Sequence, residues 1–356
     1  GVDGSRRQRE INWSRVAEAG YHFVGIALPS EAITGRDSRV HSLKAFACDC
    51  YVVPLPAGHR FPIEKYVLLR QAVLDDGLMT DEGIVVPEPA TDEQILRVHD
   101  PNYLEKVKKG CLSTMEVRRM GFPWSPKLVK RARCSVGGTI SACRSALEDG
   151  VAVNLAGGTH HAFRDRGEGY CIFNDSVIAI RTMQVQGRAR QAVILDGDVH
   201  QGNGTAALTD TDPTVFTFSI HSARNYPLRK TRSDLDIGLP DGAGDAIYLE
   251  AFERGVRRAL HLSGADLAIY LAGADPYEDD RLGRLALSKS GLAGRGRLAF
   301  ELCGEAGIPV ATVMAGGYAR RVEDTVAIHL QTVRLAAESA EARVEGRSFG
   351  LARETG

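Results

Sequence analysis

Along residues 44–337 the chain alternates short apolar runs with longer amphipathic stretches, and the runs end repeatedly in glycine, carboxylate or histidine. Apolar runs without alternation are the mark of parallel-sheet strands covered on both faces. They predict strands over residues 44–53, 151–155, 191–196, 214–220, 267–272 and 309–314. Helical spacing predicts helices over 63–74, 127–148, 175–184, 203–209, 246–262, 292–306 and 324–337. Two shorter helices are marked by their caps: Thr91-Asp92-Glu93-Gln94 opens one, and Asp100-Pro101 restarts a second through Lys109. Strand and helix in alternation mean an α/β fold in one domain, a mainly parallel sheet of about eight strands with helices on both faces. Glycines inside a helix cost roughly 1 kcal/mol each, so Gly137-Gly138 in the long helix imply close packing against a neighbour.

The ends read differently from the middle. Residues 1–42 have no helical or strand period beyond an apolar patch at 22–29, and are expected to be a disordered or non-native extension. Residues 43–337 form the folded unit, and the charged residues 338–356 are expected to fray. Within the unit, residues 54–62 are a proline-flanked loop whose His59 either lines a site or bonds within the loop. Residues 121–126 form a second loop, with Phe122 and Trp124 expected to be exposed beside an entrance.

Composition narrows the class. With 44% hydrophobic, 25% charged and 6% aromatic residues, the chain is neither disordered nor membrane-embedded. Its formal charge of -1 gives no global attraction to nucleic acid or anionic lipid, so neither is expected as a direct partner. No apolar stretch approaches the ~20 residues that a membrane span requires. The 7 cysteines are scattered without a C-x-x-C pair, which suits reduced thiols in a cytoplasmic protein. Cys48 and Cys50 alternate on a predicted strand, where packing is the expected role.

The chemistry gathers at the end of the central run, where Ala192-Val193-Ile194-Leu195 gives way to Asp196-Gly197-Asp198-Val199-His200-Gln201-Gly202-Asn203-Gly204. Ligands collect at the carboxyl ends of parallel strands. If the backbone stays extended, the two-residue period puts Asp196, Asp198 and His200 on one side. An imidazole with two carboxylates suits a divalent ion, zinc before others, with a position open for water. On this segment alone, an acidic loop capping a helix at Asn203 stays open as an alternative. Asp275, after the next buried run, is the natural further ligand. His160-His161 follow two glycines that permit a tight turn, and Tyr318 follows Gly316-Gly317.

Taken with Gly157-Gly158-Thr159-His160-His161-Ala162, Ala272-Gly273-Ala274-Asp275 and Ala315-Gly316-Gly317-Tyr318, the chain resembles the zinc-dependent histone deacetylase family over residues 43–336. Its His200-Gln201-Gly202-Asn203-Gly204, Asp165-Arg166-Gly167-Glu168-Gly169-Tyr170-Cys171 and Asp280-Arg281-Leu282-Gly283 are most similar to the class IV and bacterial branches. The resemblance implies the arginase/deacetylase fold and one catalytic Zn2+ on Asp198, His200 and Asp275, with Fe2+ as the other candidate metal. It implies that Asp196 partners His160, that Asn203 orients His161, and that Tyr318 supplies the oxyanion donor. Gly169, Tyr170, Tyr226 and Leu282 would contact substrate, Tyr170 and Tyr226 as aromatic walls. A structural K+ near Asp196 and Ser219 is also implied, with a plain strand role for Ser219 as an equal alternative.

The activity implied is removal of acetyl or other acyl groups from lysine side chains of a protein or peptide. Other readings stay open: an acetylpolyamine amidohydrolase acting on a small acylated amine, against which Leu282 counts, a ureohydrolase, and a catalytically silent binder of acyl-lysine. Acyl-chain length and oligomeric state are not legible in the sequence.

Overall fold

The computed structural model describes residues 43–347 and Phe349. The readings made for residues 1–42 and for the rest of the C-terminal end lie outside the described residues.

Eight parallel strands form one sheet: β1 (Lys44–Phe46), β2 (Ile84–Val85), β3 (Val151–Asn154), β4 (Ala192–Asp196), β5 (Val215–Ser222), β6 (Leu235–Leu239), β7 (Leu267–Leu271) and β8 (Val310–Val313). Their order is β2-β1-β3-β8-β7-β4-β5-β6, every pairing parallel. Every residue of β3, β4, β7 and β8 is buried, as strands covered on both faces must be. β2 and β6 are the strands that the hydrophobic pattern missed. They lie at the two edges, where one face stays open, and β6 alternates between exposed and covered positions instead of forming an apolar run.

Pro126–Asp149 packs on β1, β3 and β8 and against Asp175–Val185, while Asp245–Ser263 packs on β4, β5 and β6. Lys289–Glu305 bridges Asp245–Ser263 and Val322–Val344, and the latter meets Lys65–Asp75. The expected close approach at the helical glycines is present, because a Cβ on Gly137 would lie 1.9 Å from the Glu88 carbonyl oxygen. The caps hold as well. Thr91 forms a capping box with Gln94, and Pro101–Lys109 starts on Asp100 and stops at left-handed Gly110. A further helix, Thr114–Met120, was not read from the sequence, although Ser113 and Glu116 form the same capping box.

Four expectations are corrected. The predicted strand at 44–53 stops at Phe46, and Asp49–Tyr51 is a 3-10 turn, so Cys48 and Cys50 do not alternate on a strand. The two are joined in a disulfide across one residue, contrary to the expectation of reduced thiols throughout. Phe122 is buried and Trp124 half-buried, its indole N–H donating to the Val107 carbonyl at 2.7 Å. The last helix runs on to Val344, since Leu335, Ala336 and Ala340 bury their side chains and hold it past the charged stretch where fraying was expected. Among the described residues no helix is long and apolar enough to cross a membrane.

Candidate active site

The loops that leave the carboxyl ends of β3, β4, β7 and β8 meet in one crevice. β4 ends at Asp196 and the chain then bends, so the extended geometry expected for Asp196, Asp198 and His200 is not kept. The Asp198 amide donates to Asp196 Oδ1 at 3.1 Å and the His200 amide to Asp198 Oδ1 at 2.9 Å. The bend turns Asp196 away toward His160. Asp275, from the end of β7, takes its place.

Asp198, His200 and Asp275 are all buried, with one potential ligand atom from each within 4.8 Å of the others. His200 Nδ1 lies 3.1 Å from Asp198 Oδ1 and 3.2 Å from Asp275 Oδ2. The remaining oxygens are held by backbone: Gly316 N–H donates to Asp198 Oδ2 at 2.8 Å and Val199 N–H to Asp275 Oδ1 at 2.9 Å. Asp275 Oδ2 is buried and, apart from the 3.2 Å approach of His200 Nδ1, has no hydrogen-bond partner among the described residues. Two carboxylates out of water demand a positive charge between them. Burial opposes protonation of His200, yet its bonds to the two carboxylates hold its pKa up to about 10. Burial also pushes Asp275 up to about 7, with the Asp198 charge adding to it. An orphaned buried carboxylate oxygen, a second carboxylate and an imidazole fit a divalent cation better than they fit one shared proton.

His160 and His161 stand beside this cluster with ring centroids 4.1 Å apart. Their loop is fixed by Asp175, which was not singled out in the sequence and which accepts the amides of Gly158 and Thr159 at 3.0 and 2.7 Å. His160 Nδ1 meets Asp196 Oδ2 at 2.7 Å, and His161 Nδ1 meets Asn203 Oδ1 at 2.7 Å. Burial disfavours imidazolium at His160, but the Asp196 and Asp198 charges outweigh it and raise the pKa to about 9. Burial and then the His160 and His200 charges hold His161 well below its ordinary value.

Tyr318 is buried, with its ring 6.5 Å from that of His200 and 5.9 Å from that of Tyr170. Burial and the nearby Asp275 and Asp198 charges keep its hydroxyl protonated far above neutral pH. Tyr226 packs edge-on against His161 at 5.0 Å and donates its hydroxyl to Glu168. Gly169, at φ +54°, lies between them: a Cβ there would be 2.7 Å from His161 Cδ2 and 3.3 Å from Tyr226. Leu282 stands one step back, its carbonyl accepting from Asn225 Nδ2 at 2.9 Å beside Tyr226. The Ser219 hydroxyl is engaged with His221 Nδ1 at 3.0 Å. His59 accepts from the Phe61 amide at 3.2 Å and stacks on Phe122.

Other groups at the site carried no sequence signal of their own. Phe61 packs on Tyr170 at 5.2 Å and on Tyr318 at 6.0 Å, and lines the cavity together with Tyr66 and Arg131. Lys65, buried, donates to the carbonyls of Ala315 and Gly317 at 3.3 and 3.4 Å with its ammonium 5.4 Å from the Tyr318 ring. Arg295, also buried, clamps the carbonyls of Gly197 and Gly273 at 2.8 Å each, behind the carboxylates. Each comes from a helix or loop distant in sequence, so only the folded chain brings it to the site.

The fold and the cluster together define an α/β protein with a candidate metal centre at the carboxyl ends of its strands. A profile of the histone deacetylase domain matches residues 59–333, and the chain belongs to that family. It is 46% identical over 279 residues to an uncharacterized protein of Picosynechococcus, covering 78% of this chain and 93% of that one. It is 29% identical over 251 residues to the histone deacetylase-like amidohydrolase of Pseudomonas aeruginosa, covering 66% and 65%. The fold matches the crystal structure of an HDAC homolog from Aquifex aeolicus with a TM-score of 0.68 at 22% identity, covering 86% and 84% of the two chains.

Proposed function

We propose that the protein is a zinc-dependent hydrolase that removes acetyl or other acyl groups from lysine side chains, with residues 43–337 as its catalytic domain. The observation that carries this reading is the buried Asp198, His200 and Asp275 cluster with its orphaned Asp275 Oδ2, set beside two histidines and a buried tyrosine. Asp198, His200 and Asp275 would hold the ion. When bound, zinc supplies a Lewis acid that polarises the acyl carbonyl and makes water acidic enough to be a nucleophile near neutral pH.

The residues around the cluster do the rest. His161, neutral because burial and its cationic neighbours disfavour imidazolium, accepts the proton of the attacking water through Nε2, since Nδ1 is committed to Asn203. His160, held as imidazolium beside Asp196, places a fixed positive charge where the anionic intermediate develops. The Tyr318 hydroxyl donates to the carbonyl oxygen as it gains charge. Protonated His161 then returns its proton to the departing amine. Tyr170, Phe61 and Tyr226 sheath the lysine methylenes and exclude water. Asn203 and the Asp165–Cys171 motif favour a class IV-like member of the family. Leu282, an apolar residue, offers no anion for the second ammonium of a polyamine.

Purified protein, stripped of metal and reloaded with zinc, tests the reading against acetyl-lysine peptides, acetylated polyamines and longer acyl-lysines. Release of acetate, with the lysine left unmodified within the peptide, is the expected result in the loaded sample. Turnover of polyamines alone would replace acyl-lysine as the substrate class.

A further inference from the structure

The floor of the site is made of buried groups that mostly satisfy one another, and its mouth is built differently. Three exposed guanidiniums, on Arg60, Arg119 and Arg281, have no carboxylate partner among the described residues. Each is tied to a wall of the cavity. Arg60 immediately precedes Phe61. The Arg119 carbonyl accepts the Gly169 amide at 3.2 Å, and the next carbonyl, of Met120, accepts the Tyr170 amide at 2.9 Å. Arg281 donates to the Tyr318 carbonyl from its backbone N–H at 3.2 Å and from Nε at 3.0 Å, and its Nη2 reaches the Arg60 carbonyl at 3.4 Å. Three segments far apart in sequence meet at the same opening, the Arg60 and Arg281 charges acting on the Tyr170 hydroxyl and the Arg119 charge on that of Tyr226.

The tyrosines register those charges. Burial, the larger effect, raises the Tyr170 hydroxyl above its ordinary pKa, while Arg60 and Arg281 pull it back. Carboxylates on the neighbouring loops are already occupied. Asp165 pairs with Arg166 at 3.0 Å, and Glu168 accepts the Tyr226 hydroxyl. Asp279 pairs with Arg320 at 2.9 Å, and Asp280 accepts the amides of Leu282, Gly283 and Tyr318. Arg166 also reaches Glu168 at 3.6 Å and Asp280 is buried, so the five arginines named here outnumber the four carboxylates by one and the exposed rim carries a cationic excess, on a chain whose formal charge is only -1.

We infer that this mouth selects acyl-lysines set in acidic sequence, with Arg60, Arg119 and Arg281 receiving carboxylates on either side of the lysine. The inference rests on the acyl-lysine reading above. An extended peptide crossing the opening can engage more than one arginine, whereas a peptide with basic flanks is repelled by all of them. The three are specificity determinants, since none touches the reacting atoms.

The test uses zinc-loaded protein and three matched acetyl-lysine peptides, flanked by aspartate and glutamate, by alanine, or by lysine. Exposed ion pairs are weak singly, so the expected preference is about tenfold in kcat/KM for acidic over basic flanks, carried by KM. Raising salt from low to about 0.3 M should shrink it, because such pairs are screened over a Debye length of roughly 10 Å or less. Charge reversal, Arg60→Glu with Arg119→Glu, leaves the bond from Arg281 to the Tyr318 carbonyl in place and should remove or invert the preference. Equal kcat/KM for the three peptides, or a preference that survives the reversal, would overturn the inference while leaving the hydrolase reading standing. If no peptide is hydrolysed, the acyl-lysine reading falls. Fluorescence anisotropy of the same labelled peptides then decides the mouth's preference separately, acidic-flanked binding supporting it and equal binding overturning it.

Discussion

One half of the site is built around His160 and the other around His161, and the two differ in charge while sharing their geometry. Both imidazoles are buried, both are adjacent in the chain, and each commits Nδ1 to an oxygen 2.7 Å away. On one side the oxygen belongs to Asp196 and a second carboxylate, Asp198, stands near, so the His160 pKa climbs to about 9 in spite of burial. On the other it belongs to the neutral amide of Asn203, and burial and the neighbouring cations push His161 the opposite way. Distance and burial are common to the two and do not account for the difference. The chemistry of the partner does.

The largest effect is expected from breaking the anionic half. Asp198→Ala removes a carboxylate that would ligand the metal and also helps to hold His160 charged. Loss of bound zinc and of all measurable turnover is expected, read by elemental analysis and a deacylation assay on the same sample. Retained metal with lost activity would show that Asp198 serves the charge of His160 and not the ion.

Tyr318 belongs to neither half and so separates transition-state stabilisation from metal binding. Tyr318→Phe keeps the ring and its contacts with Phe61 and Tyr170. Turnover should fall about a hundredfold, or roughly 3 kcal/mol, with zinc content unchanged and KM moved far less. A variant that kept most of its kcat would remove Tyr318 from the oxyanion role.

Legibility in the sequence followed burial. The central strands, covered on both faces, announced themselves as apolar runs, and the residues at their ends lie together in the crevice. The edge strand Leu235–Leu239 did not, since alternation interrupted by Gly238 looks like a loop. Asp196 and Asp198 were both legible as site residues, but the two-residue period put them on one side together, and only the family resemblance divided them between a histidine partner and a metal cluster, because the division depends on a bend stabilised by their own backbone hydrogen bonds. Phe61, Lys65, Asp175 and Arg295 carried no local motif. Their importance lies in contacts with segments distant in the chain, which periodicity cannot register.

A third histidine extends the comparison to a place without chemistry. His99 is buried, its Nε2 accepting the Asn174 amide at 2.9 Å, with no partner for Nδ1 among the described residues. Burial lowers its pKa from 6.5 to about 4. Since the folded value lies below the unfolded one, the unfolded chain takes up the proton first as pH falls. The stability linked to His99 is therefore complete above pH 6.5 and drains away toward pH 4. Between pH 6.5 and 5 the loss should be about 2 kcal/mol, at 1.36 kcal/mol per unit. Urea unfolding at both pH values measures it, and His99→Gln, which keeps an acceptor for Asn174, should remove most of the difference. An undiminished difference in that variant would assign the pH dependence to other groups.

The smallest effect is the most direct test of the two halves. Asn203→Asp gives His161 the kind of partner that His160 already has, at a distance the native structure has set at 2.7 Å for both. A carboxylate that close favours imidazolium, so the His161 pKa should rise by about one unit or more. A general base works only when unprotonated, and the acidic limb of kcat/KM against pH follows its pKa. The limb should therefore move to higher pH by about one unit, with the rate at its plateau little changed and zinc content unaffected. At a pH just above the native limb, the variant should be the slower enzyme although it has gained an ion pair. An unmoved limb would mean that the titrating group is not His161. A shift to lower pH would mean that the new carboxylate perturbs the zinc site and not the histidine, and the contrast between an anionic and a neutral half would lose its role in setting the working pH.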